Sequence, residues 1–285
     1  MSREAHIEAR LRKTKILIPA ASLCVAAALF LGILQCMQGF ITGHYWTVIP
    51  AAFLAHAFFI VIVHDGAHKS ITRTKADRLL MNLGASLMLL PFYAEPFRKY
   101  HLVHHVTANT ADDPLWSDVK KDLYEKRRPL YLLCQLIPIL FTAYVLMHPN
   151  KSGKQEKKKN QPSVNIPYLL ASVLISLALI YIFQPPLFFV LGTLFILNFL
   201  SAVRHWCEHM GLEDGRESNT FWFPLGMGIG NHDVHHDHPN YSWLTLSVGL
   251  LYRKKDTNPF LTVKNILTKS SFRHFRYVKS KQQKA

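Results

Sequence analysis

The sequence has few cysteines and few charged residues, and both shortages exclude common classes of protein. Its four cysteines are widely separated and include no CxxC pair, which argues against a disulfide framework and an iron–sulfur cluster. Charged residues make up only 18% of the 285 positions, a low share for a soluble domain. Acidic residues are especially scarce, with 18 against 33 lysines and arginines. The resulting net charge of +15 fits either nucleic acid or a membrane surface.

Hydrophobic segments long enough to cross a membrane favour the second of these partners. A spanning helix needs about 20 apolar residues to cross ~30 Å of hydrocarbon. Four candidates form two pairs, 16–40 with 45–63 and 167–183 with 187–203, and a short turn joins each pair. Basic residues flank these segments, so we expect a membrane protein with no nucleic-acid partner. The first segment is too long for the core of a signal peptide and is expected to be retained as an anchor.

The positions of lysine and arginine predict which side of the membrane each connection occupies. Four basic residues between positions 10 and 15 place the N-terminus in the cytoplasm, and the KSGKQEKKK loop at 151–159 belongs there too. Two further apolar stretches, 79–93 and 129–147, are shorter or contain proline. If 129–147 crossed alone, the lysine-rich loop would lie on the opposite side. We therefore predict that both stretches are interfacial or re-entrant.

These arguments predict an all-α membrane protein with four transmembrane helices in two hairpins. The chain is expected to form one domain over residues 1–285, in which residues 64–166 and 204–285 make a cytosolic, histidine-rich cap. Both termini are expected in the cytoplasm, because the C-terminal segment is also basic.

Sixteen histidines are concentrated in three short motifs. The motifs are His64-Asp65-Gly66-Ala67-His68, His101-Leu102-Val103-His104-His105 and His232-Asp233-Val234-His235-His236. Residues three and four apart share one face of a helix, so each motif directs several imidazoles to the same side. At this histidine frequency an HxxHH triple is expected by chance about 0.05 times per chain, and the sequence contains two. The pattern therefore indicates metal binding rather than solvated surface histidines.

The number of histidines indicates two metal ions. A structural zinc site uses about four ligands and a catalytic one about three plus water, whereas the three motifs supply eight imidazoles. A ninth could come from His205 or His209, which follow the fourth span and share one helical face. Neutral imidazole binds iron, zinc, copper and nickel, so the spacing leaves the metal open. His56 lies inside the second span, where a hydrogen bond to a neighbouring helix is the simplest interpretation.

Carboxylates near the motifs could orient the histidines. A metal-bound imidazole usually donates its second N–H to a carboxylate or a carbonyl, which fixes the tautomer. Asp65, Glu208 and Asp233 are the best placed for this role, and Asn231 could orient a ligand or a bound water. A helix cap or a solvated charge is the alternative for each carboxylate. Other acidic residues also flank the motifs: Glu95, Asp112 and Asp113.

Four segments carry a resemblance to a known family. They read HDGAH, LPFYAEPFRKYHLVHHVTANTADDPLW, RHWCEH and NHDVHHDHPNYSW, and they lie between residues 61 and 243. Three histidine motifs in this order, with paired spans between the second and the third, resemble the membrane-bound fatty acid desaturase superfamily. That superfamily includes acyl-lipid desaturases and di-iron carotenoid hydroxylases and ketolases.

The resemblance implies a fold, a cofactor and a set of ligands. The fold is a four-helix transmembrane stem with a cytosolic cap, and the cofactor is a pair of iron ions that react with O2. The glutamate–histidine pattern of the family falls on Glu208-His209, which makes His209 the ninth ligand. The implied ligands are His64, His68, His101, His104, His105, His209, His232, His235 and His236. This sequence departs from some members in its short first motif.

The resemblance also implies an activity and partners. The expected reaction is O2-dependent desaturation or hydroxylation of an acyl lipid from the bilayer, and a carotenoid hydroxylase or ketolase is the alternative. The sequence has no fused cytochrome b5 or ferredoxin domain, so a separate electron donor of either type is expected. A metal transporter is a rival from another class, but transporters place their ligands near the bilayer midplane, whereas these motifs lie beyond the span ends. A zinc-dependent membrane hydrolase or hydroxylase, which would use only some of the histidines, is a second rival.

Overall fold

The computed structural model describes residues 3–13, 16–109, 113–115, 118–147, 163–210 and 217–268. Over these ranges the protein is all-α apart from two isolated β-bridges, which confirms the predicted class. The helices in chain order are α1 (Arg3–Lys13), α2 (Leu17–Ile41), α3 (Tyr45–Ala67), α4 (Ala76–Leu87), α5 (Ala94–Thr107), α6 (Asp118–Lys126), α7 (Arg128–Leu136), α8 (Pro138–Met147), α9 (Ile166–Phe183), α10 (Leu187–His209), α11 (His232–Asp237), α12 (Trp243–Leu250) and α13 (Pro259–Thr268).

Four of the described helices, α2, α3, α9 and α10, are long and apolar enough to cross a membrane. Their bounds lie within one residue of the predicted segments, except at the ends of α3 and α10. Helix α3 continues to Ala67 and α10 continues to His209. The prediction of four spans is therefore confirmed in number and position, and two of the spans extend far enough to carry candidate metal ligands.

Helix α3 lies at the centre of the bundle and carries the first histidine motif. In its apolar stretch 67% of the residues are buried, against 22% in α2 and 11% in α9, so α3 packs against protein while its neighbours face outward. Between Phe59 and His64 the helix widens into a π-helix, before one last short α-turn. Turns of π-helix inside α-helices occur frequently at functional sites, and this one ends on the first candidate ligand.

The apolar stretch at 79–93 forms most of α4, which packs inside the bundle. This helix has 12 residues, about 18 Å at 1.5 Å per residue, and is too short to cross ~30 Å of hydrocarbon. It lies between α3 and α9, and Ser86 Oγ is 2.7 Å from Ser172 Oγ of α9. A Cβ atom on Gly84 would lie 2.5 Å from Ile62 Cγ2. Glycine at this position therefore allows α4 to approach the end of α3 closely.

The second apolar stretch, 129–147, is divided between α7 and α8. The two helices have 9 and 10 residues and meet at Ile137, just before Pro138. Neither is long enough to span a membrane by itself. The lysine-rich loop at 151–159, on which the side assigned to this stretch depends, lies outside the described residues.

Glu95 fixes the first turn of α5, the helix that carries the second histidine motif. Its buried carboxylate accepts hydrogen bonds from Arg78 Nε (2.8 Å) and Asn82 Nδ2 (2.9 Å) of α4. It also accepts one from the backbone N–H of Asn165 (2.8 Å), the N-cap of α9. Glu95 therefore joins α4, α5 and the start of α9, and this joint sets the position of α5 against the bundle.

Candidate metal centre

Two groups of four buried histidines lie where α3, α5, α10 and α11 meet. The first cluster consists of His64, His68, His101 and His235, and the second cluster consists of His104, His209, His232 and His236. In each cluster, one nitrogen from every ring lies within 4.8 Å of the nitrogens of the other three. Helices α5 and α11 each contribute to both clusters, because neighbouring positions on one helical turn point to different sides.

The remaining predicted ligand, His105, lies between the two clusters. Its Nε2 is 3.2 Å from His101 Nε2, and its ring centroid is 4.4 Å from that of His236. The ring is also 4.6 Å from that of His68, centroid to centroid. The structure thus brings together all nine histidines that the sequence and the resemblance selected, although they come from four segments of the chain.

The partners of His104 and His209 show how these rings are protonated. His104 Nδ1 faces the Asp113 carboxylate at 2.9 Å, and His209 Nδ1 faces the backbone carbonyl of Glu217 at 3.1 Å. Both partners only accept hydrogen bonds, so each Nδ1 carries the proton. The two Nε2 atoms, 3.0 Å apart, then both present lone pairs to each other.

Two facing lone pairs at 3.0 Å repel unless a positive charge lies beside both. Metal–nitrogen bonds of about 2.1 Å at a right angle place two ligand nitrogens about 3.0 Å apart. The second cluster therefore has the donor atoms and the spacing that a metal ion requires. Elsewhere in the described site, the Nε2 atoms of five more candidate ligands have no hydrogen-bond partner: His64, His68, His232, His235 and His236. Unsatisfied buried polar atoms are rare in proteins and require an explanation such as a bound ion.

Burial keeps several of these imidazoles neutral, which is the form that binds metals. Burial lowers the pKa of His68 to about 3, with smaller effects from His236 and Arg98. It also lowers the pKa values of His101, His232 and His235 well below their ordinary range. At neutral pH these rings therefore present lone pairs to one another. Because His68, His101 and His235 belong to the first cluster and His232 to the second, the residues of both clusters fit a metal ion.

The carboxylates near the clusters have different partners. Asp65 lies 3.2 Å from His64 Nδ1 and accepts the Trp243 backbone N–H at 2.8 Å, so it joins the first motif to α12. Glu208 binds Arg204 and lies 3.4 Å from His232 Nδ1. The Asp65 contact suits the orienting role that the sequence suggested, whereas the Glu208 carboxylate forms no hydrogen bond with His232.

The structure gives Asp233 and Asn231 a different partner from the one expected. Arg253 Nη1 donates to both Asp233 Oδ1 and Asn231 Oδ1 at 3.0 Å, and the Thr220 hydroxyl also donates to Asp233. The Asp233 side chain therefore ties α11 to the loop before it and the segment after α12. Adjacency in sequence suggested a histidine partner, but successive residues of a helix point in different directions.

Asp113 is the carboxylate that the sequence argument did not select. Besides His104, it accepts the backbone N–H groups of Asn109 and Leu115, each at 2.9 Å. Burial alone would raise the pKa of Asp113, but its contact with His104 and the hydrogen bonds from the two backbone donors lower it overall. Asp113 was visible as an acidic residue nine positions after His104, yet spacing could not separate it from Asp112, which lies outside the described residues.

Asp113→Asn is expected to lower metal content and activity together. The asparagine amide can offer one accepting oxygen, whereas the three N–H donors around Asp113 need two, so His104 loses its fixed orientation. Losing such a partner typically reduces metal affinity or activity about 10- to 100-fold. Metal per chain and turnover should be compared with Asp122→Asn, whose carboxylate forms an exposed pair with Lys126 on α6. Equal metal content in the two variants would show that Asp113 does not contribute to metal binding.

His205 lies beside the second cluster with a carboxylate partner of its own. Its Nδ1 is 3.1 Å from Glu208 Oε2, and its ring centroid is 5.3 Å from that of His209. His205, Glu208 and His209 also form a group with metal-binding spacing. Both histidines are therefore close enough to the second cluster to bind a metal ion there. His209, unlike His205, is grouped with three further histidines.

His56 has no hydrogen bond to a neighbouring helix, contrary to the interpretation from sequence. Its ring is fully buried, and neither nitrogen has a hydrogen-bond partner among the described residues. The ring packs on Phe223 at 5.0 Å between centroids. The buried His56 ring thus marks the point where the loop before α11 meets the middle of α3.

Comparison with known proteins identifies one family. A family model described as fatty acid desaturase matches residues 43–247, more than two-thirds of the chain, and this range contains all nine candidate ligands. Comparison with curated proteins finds no match.

Proposed function

Because the chain belongs to the fatty acid desaturase family, whose members are membrane oxidoreductases, we propose that it uses two iron ions and O2 to desaturate or hydroxylate an acyl lipid. The observation that carries this proposal is the pair of buried four-histidine clusters with His105 between them. A carotenoid hydroxylase or ketolase is the alternative, since both reactions need the same centre and differ in the lipid that is held against it.

Each cluster would hold one iron ion, through His64, His68, His101 and His235 in the first and His104, His209, His232 and His236 in the second. His105 is close enough to serve either. Bound iron with O2 would supply the removal of hydrogen from an unactivated C–H bond, which no amino-acid side chain can perform alone. A zinc hydrolase would need about three ligands and a water, so it leaves most of these histidines unexplained.

The chain's own residues keep the centre neutral, oriented and dry. Asp113 and the Glu217 carbonyl hold the Nδ1 protons of His104 and His209, which leaves each Nε2 free to bind. Asp65 does the same for His64. Every ring in the two clusters is buried or nearly so, and exclusion of water protects reactive species from side reactions.

The proposed reaction has a defined balance of atoms and electrons. Desaturation removes two hydrogen atoms from the lipid while O2 is reduced to two waters, and hydroxylation inserts one oxygen atom and forms one water. Both reactions need two electrons and two protons from outside the substrate. We propose that a separate ferredoxin or cytochrome b5 type protein supplies the electrons.

Expression in a host with a defined set of lipids tests the proposal. Mass spectrometry of the total lipids should detect an acyl chain that has lost two hydrogen atoms or gained one oxygen atom, and only when a reducing partner is present. An oxidised carotenoid in a carotenoid-producing host would favour the alternative. Lipids that remain unchanged in both hosts, with the protein fully loaded with iron and the donor present, would contradict both.

We also propose that the histidine clusters and both termini face the cytoplasm. Single cysteines at Lys69, Lys154 and Lys254, in a background without native cysteines, should react only with reagents that enter the cell. A tag in the connection at 184–186 should be accessible from outside. Labelling of position 154 from outside would mean that 129–147 crosses the membrane, and the arrangement of spans would need revision.

A further inference from the structure

A groove runs between the loop at 222–230 and the end of α12, and we call it the 222–255 groove. Its volume is about 320 Å3, at the lower end of the usual range of about 300–1,000 Å3 for small-molecule sites. The lining is mainly apolar and includes Trp222, Phe223, Leu225, Met227 and Leu251. Such a lining suits a hydrocarbon chain.

The floor of the groove is continuous with the third histidine motif. Gly228 has a φ of +76°, and a Cβ atom on it would lie 2.2 Å from the backbone N of Ser247. The loop therefore packs directly on α12. Three residues after Gly228 the loop reaches Asn231 and then His232, a member of the second cluster. An occupant of the groove would lie beside the segment that carries the candidate ligands.

One side of the groove lies at the level of the spans. Phe223 packs on His56, which lies in the middle of α3. On the outer side, Trp222 is 59% exposed, Leu225 46% and Leu251 75%. Large apolar side chains rarely form an exposed group on a protein surface unless the group contacts a membrane or a partner, and tryptophan is enriched at membrane interfaces. An exposed apolar group at this position suits contact with the acyl chains of a bilayer.

A cation lies at the other end of the groove. Lys255 lines it, and its Nζ donates to the backbone carbonyls of Leu250 (2.6 Å) and Arg253 (2.8 Å). An ammonium group has three N–H donors, so one remains for a further partner. Arg253, by contrast, is bound to Asp233. Among the residues that the structure describes, Lys255 thus offers a positive charge that is held in place by carbonyls and lacks a carboxylate partner.

We propose that the 222–255 groove holds the acyl chain of a lipid with an anionic head group, and that Lys255 binds the head group. The proposal rests on the proposed function, because it names the substrate class for that site. A second cavity, of about 90 Å3, lies among α2, α3, α9 and α10. The described residues that line it include no charged side chain, so no feature there selects a head group.

The test uses the full-length protein in lipid nanodiscs and a long-chain fatty acid with a diazirine near its methyl end. After irradiation, mass spectrometry should locate label in residues 222–230 and 247–251, and an excess of unlabelled fatty acid should compete it away. Ser247→Trp, which fills the groove, should reduce this label to background. Lys255→Glu should reduce it about 25-fold, since each lysine near an anionic lipid contributes about a fivefold effect and charge reversal applies that factor twice.

Two matched controls show whether charge and position matter. Lys254→Glu changes the same charge at an adjacent exposed position that does not line the groove, and should leave the label unchanged. The methyl ester of the same probe lacks the anionic group, should label less, and should be indifferent to Lys255→Glu. Metal content of each variant should equal that of the unmodified protein, which shows that the fold is intact.

Several outcomes would overturn the proposal. Label that is confined to the cavity among the spans, or that survives Ser247→Trp in a metal-loaded protein, refutes the groove. If Ser247→Trp fails to load metal, equal effects of Lys255→Glu and Lys254→Glu refute it instead. Lipid oxidation with an unchanged KM in Lys255→Glu would refute the groove while the proposed function stands. Competed label in the groove of a protein that binds no iron would refute the proposed function while the groove stands.

Discussion

His235→Ala is expected to abolish turnover while the protein still inserts into the membrane. His235 contributes to the first cluster from α11, and its ring centroid is 4.6 Å from that of His64 and 4.7 Å from that of His68. Removal would leave three of the four proposed ligands in the first cluster and a gap beside His105. The residue lies outside the four spans, so insertion should be unaffected. His104→Ala should behave in the same way, because it removes a ligand of the second cluster and the partner of Asp113.

His238→Ala is the matched control for this prediction. His238 lies three residues after His235 but is exposed, and its ring stacks on Tyr241 at 4.7 Å. This variant should keep near-normal turnover, metal content and membrane insertion. Near-normal turnover in His235→Ala or His104→Ala, measured with the same amount of inserted protein, would mean that the assignment of metal ligands is wrong.

His209→Ala should lose metal and activity together, whereas His205→Ala should keep its metal and part of its turnover. His209 Nε2 faces His104 Nε2 at 3.0 Å, while its Nδ1 faces the Glu217 carbonyl. His205 instead binds the carboxylate of Glu208 through Nδ1. Loss of His209 therefore removes a lone pair from the second cluster, and loss of His205 removes a partner of a carboxylate that Arg204 also holds.

Metal analysis and turnover of the two purified variants give a direct comparison. Both histidines lie on the last turns of α10, so any effect on the helix itself should be shared by the pair. The opposite pattern, with His205 essential and His209 dispensable, would move the ninth ligand one turn back along α10. It would also show that the glutamate–histidine pattern of the family does not apply at this position.

The membrane part of the fold could be predicted because one physical quantity determines it. A hydrocarbon layer of ~30 Å requires about 20 apolar residues, and the four stretches that meet this requirement are α2, α3, α9 and α10. Their polar ends were harder to locate. Hydropathy falls at Arg204, so the prediction ended at 203, yet α10 continues to His209 because Glu208 and His209 find partners inside the protein.

The proximity of the nine histidines could also be predicted, but their division into two clusters could not. Adjacent histidines such as His235 and His236 look equivalent in sequence, and the structure places them in different clusters. The pairing of Asp113 with His104 depends on the turn after α5, where Asn109 has a left-handed φ of +59°. The π-helix at Phe59–His64 packs against α2 and α4. Spacing along the chain encodes none of these three features.

Iron analysis of the purified full-length protein tests the central claim most directly. The measurement is metal per chain by elemental analysis, combined with Mössbauer spectroscopy of protein grown with 57Fe. We expect about two irons per chain, in two nitrogen-rich environments that disappear together with activity when the metal is removed and return when iron is restored. One zinc per chain with full activity and no bound iron would contradict it.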